Sequence, residues 1–119
     1  IKGNHDKITS DMMHYFASIS GYAEINDNGH KLILCHYPIM FYNYSYSTNC
    51  WMLCGHVHNT RENAWLNEWK GELRDNATSI ANNRGNIINV GCMLHDYTPQ
   101  TINQLIEWDK SEVWRVTEV

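Results

Sequence analysis

The chain has 119 residues, of which 43% are hydrophobic, and carries a formal net charge of −4. This length accommodates one domain with a modest core, and the negative charge lacks the basic footprint that binds a nucleic-acid backbone or an anionic membrane surface. No apolar run approaches the roughly 20 residues of a membrane-spanning helix. We therefore predict a single domain over residues 1–119 with no membrane partner.

The cysteines favour a particular compartment. Cys35, Cys54 and Cys92 lie in or beside apolar runs, as buried free thiols do, and this favours the reducing cytoplasm. A disulfide framework is the alternative, although it suits small secreted domains better. A zinc knuckle at Cys50-x-x-x-Cys54 is a further alternative, but the sequence has no matching second pair of cysteines.

The N-terminal stretch predicts a strand end followed by a helix. Residues 1–2 have the character of the end of a buried strand, and Gly3 would be its exit turn. A helix is predicted next, with Thr9 or Ser10 as its cap and Gly21 as its end. Its evidence is four apolar residues at helical spacing: Met12, Met13, Phe16 and Ala17.

Strands dominate the following stretch. Residues 22–25 and 31–35 are predicted to form a β-hairpin, because the Asn-Gly pair at residues 28–29 is a strong hairpin signal. The aromatic loop at residues 41–46 is either a packed lid or the lining of a substrate cleft. Residues 51–54 predict a short buried strand.

The second half predicts two helices around one strand. The first helix would begin at a Thr60 cap and end at residues 84–85, because its apolar residues recur at steps of three and four: Trp65, Leu66, Trp69, Leu73, Ala77 and Ile80. Residues 87–90 predict a buried strand. The second helix would begin at residues 98–99, with proline at its first position. The tail at residues 112–119 is ambiguous between strand and helix.

Histidines follow the apolar runs where metal ligands would be rigidly held. His36 follows one predicted strand, and His56 and His58 follow another within Gly-His-x-His. On an extended backbone, residues two apart point the same way. Asn4 adds an amide oxygen, and a mixed nitrogen and oxygen site suits Mn, Fe, Zn or Ni better than Ca. Three further histidines lack this context: His14, His30 and His95. We expect each to be a hydrogen-bonded core or loop residue, although His95 follows a predicted strand.

His5 and Asp6 form a second polar pair. A histidine beside a carboxylate can act as an oriented acid or as an electrostatic clamp for an anion. Adjacent residues do not face each other on a strand, so such pairing would need a turn. A solvated pair is the equal alternative.

Three motifs together resemble the calcineurin-like metallophosphoesterases. They are Gly-Asn-His-Asp at residues 3–6, His36, and Gly-His-Val-His at residues 55–58. Asn-Val-Gly-Cys at residues 89–92 is also similar to a segment of the small bacterial and phage members. The resemblance implies an α/β fold, as part of an α/β/β/α four-layer sandwich with mixed sheets.

The resemblance also implies roles for individual residues. Asn4, His36 and His56 would bind one metal, and His58 would bind the other. The remaining two residues of the first motif would be catalytic: His5 over the substrate phosphate, with Asp6 orienting it. The family's Asp-x-His and Gly-Asp-x-x-Asp motifs are not found in residues 1–119, so the chain is expected to be the C-terminal part of such a domain and incomplete alone.

The function implied by this resemblance is hydrolysis of a phosphate ester, with a diester favoured, by in-line attack of a metal-bridging hydroxide. Its cofactors would be two divalent metal ions in the complete protein, manganese first and iron, zinc or nickel as alternatives. Its partner would be a small phosphate-ester substrate, with nucleic acid only as a nucleotide-type substrate. The alternatives are an inactive scaffold of the same fold and a single-site zinc-binding structural module.

Overall fold

The computed structural model describes residues 1–76 and 82–115. The architecture is mixed α/β, with a four-stranded mixed sheet and two helices. The elements in chain order are β1 (Tyr22–Asp27), β2 (His30–Cys35), β3 (Cys50–Cys54), α1 (Arg61–Asp75), β4 (Ile87–Asn89) and α2 (Ile102–Lys110). Neither helix in these ranges is long and apolar enough to cross a membrane.

The hairpin prediction is confirmed. β1 and β2 pair antiparallel, with Asp27 opposite His30. The connecting residues Asn28 and Gly29 have φ of 51° and 80°, and these left-handed values are what a tight two-residue hairpin turn requires.

The remaining strand pairs are parallel, in the sheet order β1-β2-β3-β4. Leu34 of β2 lies opposite Leu53 of β3, and Cys54 lies opposite Asn89 of β4. The carboxyl ends of β2, β3 and β4 therefore meet at one edge of the sheet. Ligand sites of open α/β sheets form at such an edge.

One helix covers each face of the sheet. Alternate residues of the strands point to opposite faces, and each face contributes an apolar cluster. Leu66 of α1 belongs to the cluster with Ile33, Met52 and Ile87. The cluster on the other face joins α2 to the neighbouring strand residues: Leu32, Trp51, Ile88, Ile102, Leu105 and Ile106.

The N-terminal predictions are wrong in detail. Residues 1–2 form no strand, and the predicted helix is reduced to a 3-10 turn at Met12–His14. Met13 and Phe16 are 63% and 55% exposed. Most helical stability in proteins comes from packing of an apolar face, and in this structure that face is not packed.

The end of α1 and the start of α2 differ from the prediction, because local hydrogen bonds cap the helices there. α1 does begin after Thr60 but ends at Asp75, where the backbone and side-chain N–H groups of Asn76 both donate to the Glu72 carbonyl. The predicted members Ala77 and Ile80 lie outside the described residues. α2 begins at Ile102, beyond the predicted proline, because a reciprocal box of hydrogen bonds caps it: Thr101 and Gln104. Of the ambiguous tail, Val113–Arg115 form a 3-10 helix, and residues 116–119 are outside the described part.

We expect Gly29→Ala to lower the free energy of unfolding by about 1–2 kcal/mol, because an L-residue pays this cost in the left-handed region. Gly21→Ala is the matched control. A Cβ at either glycine would meet nothing within 4 Å, but only Gly29 has a positive φ, of +80°. Urea denaturation of both variants measures the difference, and equal stability would refute the assigned turn.

Candidate metal centre

The edge formed by the parallel strands holds a cleft. His36 follows β2, and its carbonyl accepts a hydrogen bond from the Gly55 N–H at 2.8 Å, which joins the two strand exits. The cleft has a volume of about 380 Å³. Its lining includes Ile1, His36, His56, His58, Val90 and Cys92.

The Gly-His-Val-His segment is a strained turn, which corrects the expectation of an extended backbone. The Val57 N–H donates to the Gly55 carbonyl at 2.7 Å, so His56 is the centre of a γ-turn. His56 and His58 have φ of 63° and 48°. Such left-handed conformations cost of order 1–3 kcal/mol each and cluster at functional sites.

Three donor atoms come together beside this turn. His36 Nε2 lies 2.8 Å from Asn4 Oδ1 and 3.3 Å from His56 Nδ1. Metal–ligand bonds of about 2.0–2.2 Å place neighbouring donors of one tetrahedral or octahedral sphere roughly 2.8–3.6 Å apart. Both distances are also those of hydrogen bonds made by His36 Nε2, so they agree with the spacing of ligands of one ion without requiring an ion. Two imidazoles with an amide oxygen suit a divalent transition metal.

His58 is the remaining histidine of the cleft. It lines the same cleft and is exposed. Among residues 1–76 and 82–115, no group of three or more His, Cys, Asp or Glu side chains is arranged to hold a metal ion. The structure thus brings together Asn4, His36 and His56, with His58 near them as a separate donor.

The environment of His36 favours its neutral form. Burial lowers the pKa of the His36 imidazole, and the adjacent His56 lowers it further, whereas Asp6 acts in the opposite direction. A neutral imidazole is the form that binds a metal. His5 and His58 lower the pKa of His36 in the same direction, by smaller amounts.

Asp6 forms two hydrogen bonds with Gly3 within the first motif. Its Oδ2 accepts the Gly3 N–H at 2.7 Å, and its own N–H donates to the Gly3 carbonyl at 3.2 Å. His5 is exposed in the same turn, and its orientation by Asp6 stays a prediction. A Cβ on Gly3 would lie 3.1 Å from two ring atoms of His36, so a larger residue here would require this ring to shift by a few tenths of an ångström. A Cβ on Gly55 would make only ordinary van der Waals contacts, at 3.7 Å or more.

Tyr37 was not singled out from the sequence, and Asn89 was named only as part of the Asn-Val-Gly-Cys segment. Tyr37 packs against both ligand candidates, with ring centroids 5.2 Å from His36 and 4.6 Å from His56. Its signal was its position between a strand-end histidine and a proline. Asn89 donates to the His58 carbonyl at 2.9 Å, and its signal was a buried polar residue at the end of an apolar strand.

The other histidine and cysteine candidates differ in environment: His95 and Cys54 are buried, whereas His14 is exposed, and so is Cys92, against the expectation of a buried thiol. His95 Nε2 lies 2.9 Å from the Asn89 carbonyl, and its ring packs on Trp108 at 4.7 Å. Cys50 and Cys54 lie at opposite ends of β3, about 13 Å apart at the rise of a strand, so they do not share a zinc ion. Burial raises the pKa of Cys54 to about 12.

No family model, curated protein or solved structure matches this chain. The candidate metal centre therefore rests on the placement of the donors described above. The strongest of its elements is the meeting of Asn4 with His36 across 32 residues of sequence.

Proposed function

We propose that this chain carries one half of the dinuclear centre of a metallophosphoesterase. Asn4, His36 and His56 would bind one divalent metal, and His58 would contribute to the second. The observation that carries the proposal is the spacing of Asn4 Oδ1, His36 Nε2 and His56 Nδ1, at 2.8 Å and 3.3 Å. Two of these donors follow neighbouring parallel strands, where the sheet holds them rigidly.

The bound cations would supply charge neutralisation at the phosphoryl group and activation of water. The protein's own residues then have separate tasks. Asn4 supplies a neutral oxygen, so the site keeps a net positive charge for an anionic substrate. His36 and His56 supply neutral nitrogens. His5, exposed next to Asn4, would hold a proton near the substrate phosphate and donate it to the leaving oxygen.

Four donors are too few for two metal ions. A dinuclear centre of this type also needs carboxylates, one of which bridges the ions, and we assign these to the Asp-x-His and Gly-Asp-x-x-Asp motifs that residues 1–119 lack. The same additional part of the protein would complete the proposed four-layer sandwich. The cleft of about 380 Å³ has the size of a small-molecule site, which favours a small phosphate ester. The preference for a diester comes from the family resemblance alone.

The metal site is testable on the 119-residue chain itself. We expect elemental analysis after dialysis against manganese or zinc to find at most one tightly held ion per chain, and His56→Ala to remove it. His14→Ala is the matched control, because His14 is exposed on the N-terminal 3-10 turn. Two tightly held ions, or an unchanged metal content in His56→Ala, would contradict the assigned ligands.

The reaction is testable on the protein expressed at the full length that its gene encodes. Manganese-dependent hydrolysis of bis(4-nitrophenyl) phosphate that a chelator abolishes would support the proposal. The 119-residue chain alone is expected to show little turnover, because the second cation lacks its carboxylates. A full-length protein that holds two metals without turnover would instead be the inactive scaffold, and one that holds a single zinc ion would be the structural module.

A further inference from the structure

The turn that carries His56 and His58 is held by hydrogen bonds from outside and within. The Gly55 carbonyl accepts a hydrogen bond from the Val57 N–H at 2.7 Å, and the Val57 carbonyl accepts one from the Thr60 hydroxyl at 2.5 Å. The His58 carbonyl accepts from Asn89 Nδ2 at 2.9 Å. This last bond fixes the turn to β4, in addition to the bond from the Gly55 N–H to the His36 carbonyl at the exit of β2.

Asn89 is bound on every polar atom of its side chain. It is 5% exposed, and its Nδ2 also donates to Asn63 Oδ1 at 3.1 Å, in the first turn of α1. Its Oδ1 accepts the Gly91 N–H at 2.9 Å. Its backbone carbonyl lies 2.9 Å from the buried His95 Nε2. Because the His95 ring packs on Trp108 of α2, this contact also connects Asn89 to that helix.

The chemistry of these partners requires an asparagine. A backbone N–H can only donate and a backbone carbonyl can only accept, so the Gly91 N–H selects the oxygen and the His58 carbonyl selects the nitrogen. An aspartate would keep the bond to Gly91 and lose both donated bonds. An apolar residue would leave the buried Asn63 and the His58 carbonyl without this partner.

We infer that Asn89 is the positioning residue of the site, which holds the left-handed turn and thereby sets where His56 and His58 point. The conformational part of this inference stands on the hydrogen bonds alone. Its consequence for metal binding rests on the proposed function. Groups that orient metal ligands typically change metal affinity by about 10–100-fold when they are removed.

The test compares Asn89→Asp with Asn86→Asp. Asn86 is the matched control because it is also a buried asparagine, it precedes β4, and its Nδ2 donates to a backbone carbonyl, that of Cys50 at 3.3 Å. Asn89→Asp is expected to shift the imidazole NMR resonances of His56 and His58 in the metal-free chain and to weaken zinc binding by about 10–100-fold. Asn86→Asp should leave both unchanged.

Unmoved resonances and unchanged zinc affinity in Asn89→Asp would overturn the inference and make Asn89 purely structural. If the wild-type chain binds no zinc but the resonances still shift, the positioning role stands and the proposed function fails. If Asn89→Asp does not fold, the inference is tested on the wild-type chain by hydrogen exchange. Its Asn89 side-chain amide protons should exchange slowly with solvent, and rapid exchange would refute the bond to His58.

Discussion

In the protein expressed at full gene length, His5→Ala is expected to lower phosphodiester turnover by about 10²–10⁴-fold, the usual effect of removing a general acid or a charge-stabilising group. Metal content should remain unchanged, because the three closely spaced donors are Asn4, His36 and His56. The loss should be smaller for a nitrophenyl ester than for an alkyl ester, since a nitrophenolate leaves without a proton. Turnover of both substrates and elemental analysis measure these effects.

The control for His5→Ala is again His14→Ala, which should alter neither turnover nor metal content. If His5→Ala loses metal as His56→Ala does, His5 is a ligand and the division of roles is wrong. If it keeps metal and is equally impaired on both esters, general acid catalysis is excluded and charge stabilisation alone remains.

The second large effect concerns stability. Lys70 of α1 and Asp109 of α2 form an ion pair in which each residue is 1% exposed. Arg74 also contacts the Asp109 carboxylate, at 2.8 Å, and the Lys70 ammonium lies 4.2 Å from the centre of the Trp114 ring. Asp109→Ala leaves a buried cation without its partner. We expect it to lower the free energy of unfolding by about 3–5 kcal/mol, as measured by urea denaturation at pH 7.

The pH dependence of the same variant gives a second measurement. Burial lowers the pKa of Lys70 from 10.5 to about 8, while Asp109 opposes this change. Without Asp109, the folded-state pKa falls further. The unfolded state of the variant then binds more protons than its folded state over a wider pH range. The free energy of unfolding of the variant therefore rises more steeply with pH than that of the wild type. The difference in free energy of unfolding between the wild type and Asp109→Ala should therefore become smaller between pH 7 and pH 9.

Two further variants separate this buried pair from ordinary surface charges. Glu107→Ala, which removes an exposed partner of Lys110 at 4.0 Å, should change stability by no more than about 0.5 kcal/mol. Lys70→Met combined with Asp109→Leu should recover much of the loss, because neither charge then remains buried. A deficit below about 1 kcal/mol in Asp109→Ala would show that the pair is solvated.

The sequence predicted the features that local signals determine. The Asn-Gly pair specified the hairpin, and the apolar runs before His36 and Gly55 specified β2 and β3. Because these strands are parallel, their exits coincide, and the meeting of His36 with His56 followed from that topology. Asn4 Oδ1 also lies beside His36, and the metal-binding roles of the three residues stay a prediction.

Features that depend on tertiary partners could not be predicted. Lys70 and Asp109 have the appearance of solvated helix residues, and only the packing of α1 and α2 around Trp114 makes them a buried pair. The left-handed turn at His56 was missed because no glycine or asparagine occupies that position. The N-terminal helix failed for the opposite reason, since its apolar spacing was present but its packing partner was not.

The mixed topology of the sheet also sets an order of assembly. β1 and β2 are joined by a two-residue turn, and hairpins of this kind form within about 1–10 μs. The parallel pairs must close the segments 36–49 and 55–86 before they gain any contact, and such closure is entropically costly and slow. His36 and His56 meet only after the first of these closures. A chain caught midway through folding therefore has its hairpin while His36 and His56 are still apart, and the proposed metal site would form late in folding.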